Sequence, residues 1–490
     1  MPTKKDEDKR LYKPRNAWEQ ADAEQRARVR GLAERYLAFI SACKTERETV
    51  AYVQDRLAQA GYGDDASGDR VLRPFRGKAL FAIRRGAKSL AEGVNIIAVH
   101  GDAPRLDLKQ RPLVEEACIA QGKTHYYGGI RKYQWLARPL AIHGTVVRQD
   151  GTVVRLCIGE EPGDPVFCIA DLLPHLAKKQ GSTPLNDVFE GEKLNIVMAH
   201  SPAVKEEKAQ DAGTPPAEGT SEAGKDEAKD EAKDEGEGKP RIREHVVALL
   251  EERYGIVEED LVTAEIQVVP AGPARFVGLD GALVGGYGQD DRICVFLALE
   301  ALCAVENPDA PCALMLWDKE EIGSDGATGA SSRFLRYCME EVAAAWEPAV
   351  SPGRMFLESR AVSADVQAAL DPDFGEVHEK NNAALLGYGP CFSKFTGSGG
   401  KYGASEADAE YFAAIRGLLN ARGIPWQAAE CGKVDQGGGG TVALFLAAYG
   451  MRVIDLGPAV LSMHSPFELA SCVDLWWTLE AYRAFYEACR

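Results

Sequence analysis

The sequence predicts an α/β fold whose mostly parallel sheet belongs to a domain interrupted by a β-rich insertion. Three observations support this prediction. Nearly unbroken apolar runs, at residues 79–83, 95–99 and 311–317, are typical of strands buried on both faces. After residue 265, strand-like runs alternate with segments whose apolar positions have helical spacing. Residues 106–200 instead hold short alternating segments, which are typical of antiparallel strands.

The individual elements follow from the same patterns, and glycines such as Gly61, Gly423 and Gly450 mark several helix ends. The predicted elements are helices within 18–60, strands at 79–83 and 95–99, strands at 141–147 and 152–157, a helix at 294–305, a strand at 311–317, helices at 408–422 and 441–449, a strand at 451–456 and a helix at 473–489.

A chain of 490 residues exceeds what one compact core normally holds, so two domains are expected. We predict a discontinuous α/β domain formed by residues 18–105 and 265–490, with a β-rich domain at 106–264 inserted between them. Within the insertion, residues 204–240 contain twelve acidic residues and six lysines, and no large apolar residue follows Val204. Such a segment cannot offset the entropy of ordering, so disorder is predicted, with a metal-buffering or partner-binding tail as the alternative.

The net charge of −17 argues against nucleic acid as a partner, because phosphate binding needs clustered Lys and Arg. No run of about 18 apolar residues is present, so no membrane span is expected. Residues 1–10 are charged and lack the apolar core of a secretory signal. The twelve cysteines are scattered without a CxxC pair, as in a protein of the reducing cytoplasm, and we expect a cytoplasmic protein.

Two of the eight histidines follow predicted strands, where parallel α/β sheets place their binding sites. His100 directly follows the run 95–99 and begins His100-Gly101-Asp102, and His464 follows the strand at 451–456. A carboxylate such as Asp102 could hold the second nitrogen of a ligating imidazole. Taken singly, each histidine is more simply interpreted as a structural residue.

Acidic groups occur at comparable places. Glu320 and Glu321 follow the strand at 311–317, Asp290 precedes the helix at 294–305, and Asp365 follows another apolar run. An ordinary acidic loop and a helix N-cap are the simple alternatives for the first two sites. Together with the histidines, these groups offer imidazole and oxygen ligands without thiolates, a set that suits Zn²⁺, Mn²⁺ or Co²⁺.

The ordered set of motifs resembles the aspartyl aminopeptidase family of cocatalytic metallopeptidases, from about residue 75 onward. The motifs are His100-Gly101-Asp102-Ala103-Pro104-Arg105, Tyr127-Gly128-Gly129, Gly288-Gln289-Asp290-Asp291-Arg292, Asp318-Lys319-Glu320-Glu321-Ile322-Gly323-Ser324, Ser363-Ala364-Asp365 and Leu456-Gly457-Pro458 followed by Leu461-Ser462-Met463-His464-Ser465. The resemblance implies a metallopeptidase catalytic domain interrupted by a dimerisation domain, and a homo-oligomer that is typically a dodecamer.

The same resemblance implies a role for each matching residue. Asp290 bridges two divalent metal ions, His100 and Asp365 complete one site, and Glu321 and His464 complete the other. Asp102 is the catalytic-site aspartate behind His100, and Glu320 is the general base. The cofactors implied are two ions per subunit, zinc in the first instance, with cobalt or manganese as alternatives.

This sequence departs from the family pattern at several places. The family's usual His-Thr-Asp-Ser-Pro is His100-Gly101-Asp102-Ala103-Pro104, its His-Glu-Glu is Lys319-Glu320-Glu321, and Asp291 stands where many members have Asn. The ligand set is intact. His175 matches a segment that family members insert into a neighbouring subunit, with an exposed helix histidine as the alternative. Lys401 is the candidate cation for acidic first residues, with a surface lysine as the alternative.

The predicted function is therefore a metal-dependent aminopeptidase that removes N-terminal residues, including acidic ones, from peptides. A two-metal carboxypeptidase or amide deacylase could use the same ligands. A non-catalytic assembly protein that retains the fold is the alternative from another class, although the presence of Glu320 beside all five ligands argues against it.

Overall fold

The computed structural model describes residues 11–203 and 242–488. The predicted disordered insertion at 204–240 lies outside the described residues. The strands are, in chain order, Arg70–Phe75 (β1), Ala79–Arg84 (β2), Asn95–His100 (β3), Arg105–Glu116 (β4), Ile119–Tyr127 (β5), Leu140–Val147 (β6), Val153–Ile158 (β7), Ile196–Ala199 (β8), Glu265–Pro270 (β9), Arg275–Val277 (β10), Leu283–Gly286 (β11), Cys312–Trp317 (β12), Arg360–Ser363 (β13), Gln367–Ala368 (β14), Cys391–Ser393 (β15), Gly397–Ser398 (β16), Gln427–Ala428 (β17), Gly438–Gly439 (β18), Arg452–Gly457 (β19), Ala459–Leu461 (β20) and Glu468–Ser471 (β21).

The α-helices of the described residues are Ala17–Gln20 (α1), Ala23–Ala42 (α2), Glu46–Gln59 (α3), Leu185–Val188 (α4), Ile242–Tyr254 (α5), Glu258–Thr263 (α6), Gln289–Ala304 (α7), Phe334–Trp346 (α8), Pro352–Glu358 (α9), Ala409–Ala421 (α10), Ala443–Ala447 (α11) and Cys472–Ala488 (α12). None of the helices within 11–203 and 242–488 is both long and apolar enough to cross a bilayer.

The central sheet has eight strands in the order β1-β2-β12-β3-β13-β19-β15-β17. Its middle strands β12, β3, β13 and β19 are parallel neighbours. Alternate residues of these strands point to opposite faces. Ile97 and Leu314 pack with α2, α3, α7, α10 and α12 on one face. Ile96 and Met315 pack with α8, α9 and α11 on the other. The expected α/β class is confirmed.

A second sheet has six strands in the order β7-β6-β9-β4-β5-β8, and its neighbours are all antiparallel. Its strands come from residues 105–199 and 265–270, around a separate apolar cluster that includes Leu106, Trp135 and Val268. The alternating pattern at 141–147 and 152–157 thus corresponds to the antiparallel pair β6 and β7.

Two smaller sheets lie near the carboxyl edge of the central sheet. One has the order β10-β11-β21-β20-β14, and the other pairs β16 with β18 through glycines. The sequence did not predict these short strands or helices α8 and α9. The predicted helix at 441–449 is confirmed only as the shorter α11.

The backbone of β19 packs closely against a segment that follows β13. A Cβ atom added to Gly457 would lie 2.1 Å from the carbonyl oxygen of Asp365. Because that contact is with backbone, Gly457→Ala is expected to lower the free energy of unfolding by about 1–3 kcal/mol. Gly417→Ala is a matched control, since Gly417 lies in α10 with no heavy atom within 4 Å of the added Cβ.

The control is expected to raise the free energy of unfolding by about 0.5–1 kcal/mol, because alanine loses less backbone entropy in a helix. Denaturant unfolding of both variants measures the difference. Equal effects of the two substitutions would contradict the close approach of Gly457 to Asp365.

Candidate metal centre and active site

The carboxyl ends of parallel strands meet at one edge of the central sheet, and this edge collects the predicted site residues. His100 is the last residue of β3, Asp365 lies two residues beyond β13, and Glu320 lies three beyond β12. Three groups of ligand-type atoms that could hold a metal ion assemble here from six residues: His100, Asp290, Glu320, Glu321, Asp365 and His464.

Asp290 is shared by two of these groups. Its Oδ1 atom lies 3.3 Å from Nε2 of His100, and Oδ1 of Asp365 lies 3.9 Å from the same nitrogen. The Oδ2 atom of Asp290 lies 3.3 Å from Nε2 of His464, which is also 3.3 Å from Oε2 of Glu321. One carboxylate therefore faces two imidazoles, each of which has a second carboxylate beside it.

These distances fit metal coordination. Ligand atoms held tetrahedrally at about 2.0–2.1 Å from zinc are about 3.3–3.4 Å apart, which matches three of the four separations. Among the described residues, buried Oδ1 of Asp290 and Oε1 of Glu321 have no hydrogen-bond donor. Buried polar atoms normally have partners. The residues present therefore fit a metal pair that shares Asp290.

The pKa values of the cluster show that concentrating negative charge in this buried site is unfavourable. Burial and neighbouring Asp290 hold the pKa values of Glu321 and Asp365 well above the ordinary range for carboxyl groups. Burial lowers the pKa of His464, but Asp290 and Glu321 outweigh it and raise that pKa to about 10. The site attracts a positive charge strongly, whether a proton or a metal ion supplies it.

Asp102 is fully buried and connects the first histidine to the glutamate turn. Its Oδ1 lies 3.3 Å from Nδ1 of His100, so the other ring nitrogen faces Asp290. Its two carboxylate oxygens also accept hydrogen bonds from the backbone N–H groups of Glu320, at 3.1 Å, and Glu321, at 3.2 Å. Asp102 thus orients an imidazole and fixes the turn that carries both glutamates.

Residues at the end of β5 and just after it connect the six-stranded sheet to His464 directly and to His100 through Asp102. The hydroxyl of Tyr127 donates to Oδ2 of Asp102 at 2.8 Å. The carbonyl oxygen of Gly129 lies 3.2 Å from Nδ1 of His464. Since a carbonyl can only accept, Nδ1 carries the proton and Nε2 is left as the ligand atom. The sequence resemblance included Tyr127-Gly128-Gly129, but the residue pattern did not predict these contacts.

Glu320 lies beside the cluster, at the start of a short 3₁₀ turn that follows Lys319 in a left-handed conformation. Its Oε2 is 4.0 Å from Nε2 of His100, and burial followed by the charge of Asp290 raises its pKa to about 7. A carboxylate with such a pKa can take up and release a proton near neutrality.

Asp290 and Asp291 lie in the first turn of α7, where both have non-helical backbone angles. Gly288 occupies the N-cap position of α7 and makes no side-chain capping bond. Asp291 instead accepts a hydrogen bond from the backbone N–H of His100 at 3.4 Å. Asp291 therefore connects the start of α7 to the end of β3.

A cavity of about 830 Å³ opens beside the cluster and is lined by Asp290, Glu320, Glu321, Asp365 and His464. Lys401 and Lys433 also line it. The Nζ atom of Lys401 lies 2.9 Å from Oε1 of Glu406, whereas Lys433 has no carboxylate within 4.0 Å in the part of the chain that the structure describes. Sequence reasoning missed Lys433, because an isolated lysine in a glycine-rich loop carries no signal.

His175, the second candidate substrate-binding residue after Lys401, does not line this cavity. It lies in a short exposed 3₁₀ turn, Pro174–Leu176, within the segment between β7 and β8. The single chain therefore brings together Glu320, Asp102 and the five predicted ligands but leaves His175 apart from them.

The α/β fold and this imidazole–carboxylate cluster beside an open cavity define a metal-dependent hydrolase. Comparison with known proteins gives the family. A family model described as aminopeptidase I zinc metalloprotease (M18) matches residues 39–486. The chain belongs to the M18 family of aminopeptidases.

Individual relatives match this chain over nearly its whole length. A probable M18 family aminopeptidase 1 of Clostridium acetobutylicum is 42% identical over 487 residues, which cover 97% of this chain and 98% of the relative. The crystal structure of the M18 family aminopeptidase from Thermotoga maritima has a TM-score of 0.86 at 40% identity, covering 97% of this chain and 100% of that one. The structure of the S. cerevisiae mApe1 dodecamer, with a TM-score of 0.70 at 22% identity, covers 93% and 96% and supports the fold.

The predicted resemblance to the aspartyl aminopeptidases and the predicted enzyme class, a metalloaminopeptidase, are confirmed. The family favours this activity over the carboxypeptidase, amide deacylase and non-catalytic alternatives, and it is a family of zinc metalloproteases.

The hydroxyl of Tyr127 provides a test of how Asp102 is held. Tyr127→Phe is expected to weaken metal binding about 10–100-fold. The Tyr127 hydroxyl holds Asp102, and Asp102 in turn orients the imidazole of His100. Tyr486→Phe is the control, since the Tyr486 hydroxyl donates to the backbone carbonyl of Ala313 in β12, away from the cluster.

Both substitutions are expected to lower the free energy of unfolding of the metal-free chain by about 1 kcal/mol. Zinc titration against a competing chelator then separates them. If Tyr127→Phe binds zinc as tightly as the control, the hydroxyl does not orient the Asp102–His100 pair.

Proposed function

We propose that the chain is a two-zinc aminopeptidase that removes N-terminal residues from peptides, with a preference for acidic ones. The observation that carries the two-metal proposal is the position of Asp290. One of its oxygens lies 3.3 Å from the imidazole of His100, and the other lies 3.3 Å from that of His464. In this proposal, His100, Asp290 and Asp365 would hold one ion, and Asp290, Glu321 and His464 would hold the other. Cobalt or manganese could replace zinc in the same ligand set.

Bound metal ions of this kind supply Lewis-acid chemistry, by lowering the pKa of a water molecule and polarising a peptide carbonyl. Glu320 is the proposed general base. Its carboxylate takes a proton from the attacking water and returns it to the nitrogen of the departing peptide. In the metal-free chain, burial and then the charge of Asp290 raise the pKa of Glu320 to about 7, which marks it as a carboxylate whose surroundings favour uptake of a proton.

Asp102 is the proposed catalytic-site aspartate, although it reaches the chemistry through other groups. It holds the ring of His100 and the backbone of Glu320 and Glu321 at once. A shift of Asp102 would therefore displace a ligand and the base together.

An acidic first residue needs a cation within the cavity, and Lys401 and Lys433 are the candidates among the described lining residues. Lys401 is paired with Glu406 and packs over the ring of Phe395, 4.0 Å from its centroid. Lys433 lies in the same cavity and has no carboxylate partner within residues 11–203 and 242–488. We propose that Lys433 shares with Lys401 the recognition of the substrate side chain. Lys401 must weaken its ion pair with Glu406 to bind a substrate carboxylate, whereas Lys433 has no such ion pair to lose among the described residues.

We further propose that residues 18–105 and 265–490 form the catalytic domain and that 106–264 form a dimerisation domain. The S. cerevisiae mApe1 dodecamer, which shares the fold, supports our proposal that this chain forms a homo-oligomer, and we propose a dodecamer. In such an assembly, exposed His175 would enter the cavity of a neighbouring copy. Apart from Cys312, the ten cysteines that lie in the described residues are free thiols, which supports a cytoplasmic location.

The role of Glu320 is tested by Glu320→Gln, which removes the base without changing the shape of the side chain. The variant is expected to bind zinc as the wild type does and to lose most turnover, a loss of at least about 10²–10⁴-fold. Metal content and kcat on an aminoacyl substrate are measured together. Loss of a zinc ion would make Glu320 a ligand instead, and unchanged turnover would remove it from the mechanism.

The specificity proposal is tested by Lys433→Ala and Lys401→Ala, assayed on matched peptides that begin with Glu or Gln. We expect each substitution to lower kcat/KM for the Glu peptide and to leave the Gln peptide nearly unchanged, with the larger effect at Lys433. N-terminal acetylation should abolish cleavage of both peptides by the wild type. If both variants lose activity equally on the two peptides, neither lysine recognises the acidic side chain.

A further inference from the structure

Glu468, the first residue of β21, is a fully buried carboxylate that sequence reasoning did not select. Its position is fixed by the small five-stranded sheet, where it lies opposite Gly286 of β11. It lies beyond the turn that carries His464 and beside the segment that carries Asp290.

The carboxylate of Glu468 binds the backbones of these two segments. Its Oε1 accepts from the N–H of His464 at 2.7 Å. Its Oε2 accepts from the N–H of Gln289 at 2.5 Å and from that of Asp290 at 3.3 Å. The two residues whose side chains meet at 3.3 Å in the metal cluster are thus joined a second time, through their main chains, by one side chain.

Neighbouring residues hold Glu468 itself. The amide of Gln289 donates to the backbone carbonyl of Glu468 at 2.6 Å, and the hydroxyl of Tyr36 donates to the amide oxygen of Gln289 at 3.3 Å. No cation lies within 4.0 Å of the Glu468 carboxylate in the described part of the chain. A buried charge is costly, and its hydrogen-bond compensation here comes from the backbone N–H groups of residues 289, 290 and 464.

We propose that Glu468 is a positioning residue that sets the distance between Asp290 and His464 and thereby the affinity of the metal position formed by Asp290, Glu321 and His464. The inference rests on the two-metal function proposed above. The other position is built from His100 and Asp365, whose backbones Glu468 does not touch, so it depends on Glu468 only through the shared Asp290.

The test is Glu468→Gln, which keeps the shape but replaces one acceptor oxygen by an NH₂ group. Whichever way the amide turns, a donor then faces a backbone N–H, either that of His464 or those of Gln289 and Asp290. Asp474→Asn is a matched control. Asp474 is equally buried, and its two oxygens accept from the backbone N–H groups of Gly387 and Gly389 at 2.7 Å each.

Metal-free full-length wild type, Glu468→Gln and Asp474→Asn are titrated with Zn²⁺ against a competing chelator, and two stepwise dissociation constants are fitted. Glu468→Gln is expected to weaken one of the two constants by about 10–100-fold and to change the other little. Asp474→Asn is expected to retain both constants. Thermal unfolding of the metal-free chains checks that the two variants lose comparable stability.

Should Glu468→Gln not fold, Glu468→Asp gives the same test in a chain that keeps the buried charge, because a side chain shorter by one methylene cannot span both segments. Wild-type constants in Glu468→Gln or in Glu468→Asp, or an equal weakening of both positions, would overturn the positioning role. Wild type that binds a single zinc ion contradicts the two-metal function instead. In that case a weakening confined to Glu468→Gln would still support positioning of the remaining ion.

Discussion

The crowding of negative charge at the carboxyl edge of the central sheet constrains the rest of this structure. Asp290, Asp291, Glu321, Asp365 and Asp102 are buried or nearly so within one small region. Carboxylates so close together cannot all ionise in a dry interior without a positive charge among them. Two imidazoles face this group, and the raised pKa values of Glu321 and Asp365 show that they do not compensate it fully.

Holding these groups in place requires support from several directions. Asp102 ties His100 to the turn of Glu320 and Glu321, and Glu468 ties Asp290 to His464. Both supports are carboxylates that accept from backbone N–H groups. Such bonds are charge-assisted and therefore stronger than neutral ones. The site is organised around two carboxylates that do not belong to the proposed ligand set.

The sequence could place part of the site by a rule of topology. Parallel strands that alternate with helices place their carboxyl ends together, so His100, Glu320 and Glu321, which follow predicted strands, could be brought to one edge before any coordinate was known. The sequence did not predict β13, so the role of Asp365 came from the family resemblance. Pairing of the two ligand groups through Asp290 came from the family resemblance. The spacing of these residues along the chain does not determine it.

Other parts of the site had no signal that a single sequence could reveal. Glu468 acts on main-chain N–H groups, which every residue except proline possesses, so no residue type marks its partners. Tyr127 belongs to the six-stranded sheet, and its contact with Asp102 depends on how that sheet packs against the central one. Lys401 is paired with Glu406, whereas Lys433 has no carboxylate within 4.0 Å among the described residues, and this difference appears only in the fold. The short helix α11 ends earlier than its apolar pattern suggests.

The end of β5 has a consequence for how this protein is assembled. Tyr127 and Gly129 connect the six-stranded sheet to the surroundings of both histidines. By thermodynamic reciprocity, if metal binding changes the free energy of a subunit contact made by that sheet, the same contact changes the free energy of metal binding by an equal amount. Association of copies through this sheet and loading of the cluster would then be coupled equilibria, and the concentration of free zinc would help to set the concentration at which subunits associate.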